Sequence, residues 1–140
     1  MAQISTKHVL LGGLAAGLIS NVSGIVLAHF FLAEEVRALL QRLNVQFGLG
    51  SALLHIGMRF AVGLGVVWLY AGLRPRFGPG PRTAALAGLV MWLFTYAFSF
   101  LGIAPYGLYP VSTLVIAAVW GLTELQFAAL AGAYLYREEA

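Results

Sequence analysis

Four long apolar stretches divide the chain, and the few ionisable residues inside them stand singly. Val9–Leu32 holds no formally charged side chain, and Leu49–Leu73 is broken by His55 and Arg59. Thr83–Ala104 again has none, and Val111–Tyr136 holds only Glu124. Each stretch reaches the roughly 20 residues that a helix needs to cross the hydrocarbon core of a bilayer. A closed β-barrel is the other backbone arrangement that lipid tolerates. It requires alternating strands of about ten residues, and these stretches do not alternate. The pattern predicts an all-α membrane protein, a four-transmembrane-helix bundle forming one domain. The first stretch outruns the roughly 7–15 apolar residues of a signal peptide and is read as a permanent span.

The connections carry different patterns. Over 34–47, Val36, Leu39, Leu40, Leu43 and Phe47 fall along one helical face, with Glu34, Glu35, Arg37, Gln41, Arg42 and Gln46 on the other. This predicts an amphipathic helix lying in the headgroup region or capping the bundle. Pro75–Pro81 combines helix-stopping prolines with Gly78 and Gly80, which predicts a tight turn between antiparallel spans. Phosphate cradling by those glycines has no Walker or dinucleotide pattern around it.

Composition narrows the class further. Charged residues make up 9% and hydrophobic ones 61%, against roughly 25% charged in soluble domains, so water is not the main solvent of the surface. The net charge of +3 sits between apolar runs and reads as a topology signal, not a nucleic-acid patch. Arg74, Arg76 and Arg82 lie in the second connection with no acid beside them, whereas Pro105–Pro110 carries no charge. Positive residues stay on the cytoplasmic side. Both termini are therefore expected inside a bacterial inner membrane, in keeping with Lys7 and Arg137, and the 34–47 helix is expected to be periplasmic. The same three arginines are candidate contacts for anionic lipid headgroups.

From Trp68 to Thr83 the sequence WLYAGLRPRFGPGPRT resembles small multi-pass bacterial inner-membrane proteins of unassigned activity. The resemblance implies the class and the inward loop, and carries no functional residue across. A faint internal match pairs Leu64, Leu69 and Tyr70 with Leu130, Leu135 and Tyr136, and Leu11, Gly13 and Leu14 with Leu86, Gly88 and Leu89, as two duplicated hairpins would.

Small residues recur every fourth position in the first span, at Gly12, Ala16, Ser20, Gly24 and Ala28, beside Gly13 and Gly17. In lipid such a stripe lets two helix backbones approach closely, with a partner in this chain or in another subunit. At 1.5 Å per residue from the cytoplasmic ends, Asn21 lies roughly 18 Å deep, Arg59 roughly 21 Å, Tyr96 roughly 20 Å and Glu124 roughly 18 Å. An isolated charge at that depth costs on the order of 2.5–3.5 kcal/mol or more. The four residues are therefore expected to form one intramembrane polar layer. Its centre would be a bidentate Arg59–Glu124 pair, completed by Asn21 and Tyr96 with help from Thr95 and Ser20. Trp68, Tyr70, Tyr134 and Tyr136 are expected at the cytoplasmic interface, and Phe100, Tyr106 and Tyr109 at the periplasmic one. Trp92 and Trp120 lie deeper.

Reactive chemistry finds little support. The chain has no cysteine and no aspartate, which removes thiol chemistry and a Ser-His-Asp triad. His29 and His55 fall at similar depths near the periplasmic side and are the weak candidates for a metal or haem b site. No other cofactor is implied. The leading expectation is a non-enzymatic structural or accessory subunit, in a homo-oligomer or a larger membrane complex, with lipid and other subunits as partners. The alternatives are a small oligomeric proton-coupled transporter or channel using Glu124, and a haem- or pigment-binding electron-transfer module.

Overall fold

The computed structural model describes residues 4–136 and is helical throughout, with no strand among those residues. Arg137, one of the topology markers of the sequence, lies outside them. Helix α1 (Thr6–Phe30) leads into a short α2 (Ala33–Leu43), and α3 runs over Leu49–Phe77. The third long segment begins as α4 (Pro81–Trp92), widens into a π-helical turn (Leu93–Ala97), and continues as α5 (Phe98–Ile103) to a closing 3₁₀ turn (Ala104–Tyr106). Helix α6 spans Val111–Leu135. Four segments, Thr6–Phe30, Leu49–Phe77, Pro81–Tyr106 and Val111–Leu135, are long and apolar enough to cross a membrane.

The bundle is organised on a diagonal. Helices α3 and α6 touch each other, while α1 and α4 each pack against both of them. Small side chains make this possible. The buried set is dominated by Ala16, Ala71, Ala84, Ala87, Ala128 and Ala129, with Val66, Val67 and Leu125 among the largest side chains fully enclosed. Large residues such as Ile25, Leu101, Val119 and Phe127 point outward. That inversion suits lipid, where close backbone packing must replace the hydrophobic drive.

The glycines of α1 are spent inside the chain. A Cβ on Gly12 would sit 2.5 Å from the Gly132 carbonyl oxygen of α6, and one on Gly13 would strike Leu64 of α3. Gly17 and Gly63 face each other across the α1–α3 contact, each without room for a methyl group. The expected stripe is buried at Gly12, Ala16, Ser20 and Gly24, but it stops there. Ala28 is exposed and Leu27 is buried in its place, because a four-residue repeat drifts around a helix of about 3.6 residues per turn.

Two expectations about the connections change. The amphipathic helix ends at Leu43, short of 47, because Asn44 adopts left-handed geometry (φ 52°). The Asn44 and Val45 amides bond back to the Gln41 and Leu40 carbonyls and close the helix. No residue of α2 is buried, and its tie to the bundle comes from Arg42, which donates to the Gly107 and Leu108 carbonyls at 3.2 and 3.1 Å. Pro75 does not stop α3 either; the helix runs on to Phe77. The turn is confined to 78–80, with positive φ at Gly78 and Gly80. Thr83 Oγ1 closes it by donating to the Gly78 carbonyl at 2.7 Å, and Pro81 starts α4 where a missing N–H costs nothing.

Tyr70 and Tyr136, the residues matched by the faint repeat, stack edge-on at 6.0 Å. Both are buried, while Trp68 and Tyr134 are exposed. Only half of that expected aromatic belt therefore faces outward.

Gly63→Leu and Gly72→Leu should move stability in opposite directions. The first overpacks the α1–α3 seam and should cost about 1–3 kcal/mol. The second faces open space and exchanges a poor helix former for a good one, a gain of under about 1 kcal/mol. Unfolding in mixed micelles followed by circular dichroism measures both; equal shifts would mean that the seam is not tight.

Candidate functional site

The deepest charges meet. Arg59 Nη1 of α3 lies 3.0 Å from Glu124 Oε1 of α6. The same nitrogen donates to the Ser20 carbonyl of α1 at 2.7 Å, and the Tyr96 hydroxyl of the π turn donates to Oε1 at 3.1 Å. One cluster thus draws on all four long segments. The Glu124 side chain is 2% exposed and that of Arg59 27%, so the carboxylate sits inside and the guanidinium partly at the surface.

Glycines create the room. A Cβ on Gly24 would collide with the guanidinium, and one on Gly121 would lie 2.5 Å from the Tyr96 ring. Gly24, expected to serve helix packing, is instead the slot that admits Arg59. Gly121 was not singled out in the sequence. Its signal was its position one turn before Glu124 on the same helical face.

The cluster differs from the expected layer in three respects. The pair is not bidentate: one nitrogen meets one oxygen, because Nη1 is shared with Ser20 and Oε1 with Tyr96. Asn21 stands outside it and donates to the Gly17 carbonyl at 2.9 Å and the Ile56 carbonyl at 3.4 Å, tying α1 to α3. Thr95 turns back to the Met91 carbonyl of its own segment. Ser20 contributes its carbonyl, while its buried hydroxyl and Glu124 Oε2 find no partner among the described residues.

The π turn places Tyr96. Five residues per hydrogen-bonded ring instead of four shift the register of the helix beyond it, a device that concentrates at functional sites. Neither Pro nor paired Gly marks the turn in the sequence, where Thr83–Ala104 is one continuous apolar stretch.

The two deep indoles also bridge segments. Trp92 Nε1 donates to the Ala118 carbonyl and Trp120 Nε1 to Ser23 Oγ, both at 2.8 Å.

The remaining candidates are dispersed. His55 Nδ1 donates to the Ser51 carbonyl at 2.9 Å and its ring rests against Phe47. His29 is exposed and packs on Phe30. Among the described residues no three His, Cys, Asp or Glu side chains gather. Arg74 lies over the rings of Tyr70 and Tyr136, turned into the end of the bundle. Arg76 and Arg82 are exposed. Comparison with protein-family models, curated proteins and solved structures finds no match to this chain.

Arg59→Leu alone should destabilise by about 3–5 kcal/mol, since it strands a buried carboxylate. Arg59→Leu combined with Glu124→Leu should recover much of that loss, a coupling that a double-mutant cycle reads directly. Additive losses would show that the two side chains do not interact.

Proposed function

We propose that this chain is a non-enzymatic structural or accessory subunit of a bacterial inner membrane, working within a homo-oligomer or on the flank of a larger complex. The observation that carries the reading is the cluster around Glu124. Its charges are spent on one another, on a backbone carbonyl and on a phenol, so that one ion pair clasps four helices. A clasp of this kind holds a scaffold in one arrangement. The outward apolar side chains then supply the faces on which lipid and neighbouring subunits pack.

Topology follows from charge. With Arg74, Arg76 and Arg82 retained in the cytoplasm, both termini are cytoplasmic and α2 lies at the periplasmic surface. Its acidic first turn and basic last turn suit its own dipole, and Arg42 anchors it over the third connection. Arg76 and Arg82 would meet anionic headgroups at the inner leaflet.

Purification in mild detergent followed by native mass spectrometry should return a defined oligomer or a stoichiometric partner; a lone monomer would refute the assignment. Because the chain lacks cysteine, single cysteines report sidedness cleanly. Gln41→Cys should react with a membrane-impermeant maleimide on intact spheroplasts, and Arg76→Cys only after permeabilisation. The reverse pattern would invert the topology.

A further inference from the structure

The ion pair uses only part of Arg59. Nη1 carries both of its bonds, to the Ser20 carbonyl and to Glu124. Nε and Nη2 donate to no described residue, and neither is enclosed in the way that Glu124 Oε2 is. Together they form one edge of the guanidinium, two parallel N–H groups that match the two oxygens of a carboxylate. The Arg59 side chain is 27% exposed and that of Glu124 2%, so the pair presents its positive end outward.

The face on which Arg59 stands decides where that edge opens. Positions 59, 63, 66 and 70 fall on one stripe of α3, and Gly63, Val66 and Tyr70 are buried against the bundle. Toward α2 the same stripe continues through His55 and Ile56. There it is exposed, Ile56 to 42%. An inward stripe is exposed only where its helix stands clear of its neighbours. Helix α3 does so here, packing on α4 but not on the π turn or α5. The α2 end of the bundle therefore has a gap on its inner side. His55 stands at its wall, with Nδ1 held by the Ser51 carbonyl at 2.9 Å, and Arg59 lies at its base.

We propose that this gap is an aqueous vestibule in which Arg59 binds a carboxylate through Nε and Nη2. An apolar filling would leave both donors without acceptors, a cost that water or an anion removes. A carboxylate satisfies the two at once and is drawn by the outward positive charge, which repels a cation. Glu124 keeps its place behind the guanidinium on Nη1, so the clasp persists while the site is filled. The inference takes from the scaffold reading only that lipid surrounds the bundle. It holds for either orientation and for any number of subunits.

Single cysteines test it in the full-length chain, which has none of its own. Ile56→Cys and Leu54→Cys place thiols on nearly opposite faces of α3. Leu54 is 62% exposed and nearer the helix end, so exposure and depth alone would make it the more reactive. In phosphatidylcholine nanodiscs, charged methanethiosulfonates should label Ile56→Cys through water and leave Leu54→Cys, in lipid, unlabelled. Relative to Gln41→Cys on α2, Ile56→Cys should favour the anionic sulfonatoethyl reagent over the cationic trimethylammonioethyl one by about tenfold, the scale on which a charged cleft steers encounter. Arg59→Gln should remove that preference. Propionate should slow the anionic reagent and propionamide should not, a comparison that needs no variant of Arg59 and survives a misfolded mutant. Protection by propionate assigns a solute as the source of the carboxylate, and protection by palmitate in the nanodisc alone assigns a fatty acid. Protection by neither, equal labelling of the two α3 positions, or a preference for the cationic reagent would each overturn the proposal.

Discussion

A carboxylate buried deep among apolar helices has few tolerable surroundings, and the arrangement of this bundle is organised around providing one. Glu124 is enclosed on α6 and reaches outward to Arg59 on α3, which is itself held by a carbonyl of α1. The Tyr96 phenol closes the cluster from the third segment. Any sliding or rotation of one helix against the others would strip a partner from the ion pair. The desolvation penalty of buried charge thereby becomes a constraint on geometry. Its net contribution to stability need not be large for it to select one packing over others.

Close packing by small residues makes that cluster reachable. Guanidinium and carboxylate can meet only if α1, α3 and α6 approach within a glycine's width. The contacts of Gly12 with Gly132 and of Gly17 with Gly63 supply this. Gly24 and Gly121 act differently, as slots for the guanidinium and the phenol ring. The same residue type thus serves two ends, backbone approach toward one end of the bundle and side-chain access in the polar layer. The π turn completes the set by turning Tyr96 toward α6 where a regular helix would carry a different register.

The two ends of the bundle are closed by different means. At one, Tyr70 and Tyr136 stack, with Arg74 over both rings and the Ser5 amide donating to the Tyr136 hydroxyl at 3.2 Å. At the other, α2 lies exposed and is moored by Arg42 to two loop carbonyls. The first end is closed by buried rings, whereas no residue of α2 at the second is buried.

Much of this was written in the order of residues. Segment lengths, the helical class and the depth of Arg59, Tyr96 and Glu124 follow from apolar run lengths and a fixed rise per residue. The cost of unpaired charge in lipid was enough to bring Arg59 and Glu124 together. Depth is a one-dimensional quantity, however, and says nothing about which way a side chain faces around its helix. Asn21 has the right depth, yet it bonds the Gly17 and Ile56 carbonyls instead of the pair. Ala28 continues the four-residue rhythm, yet it is exposed while Leu27 beside it is buried. The π turn, the roles of Gly24 and Gly121, the single-nitrogen contact of Arg59 and the gap above it depend on rotation and crossing of whole helices. Those are set only when four surfaces pack at once, so tertiary structure alone decided them.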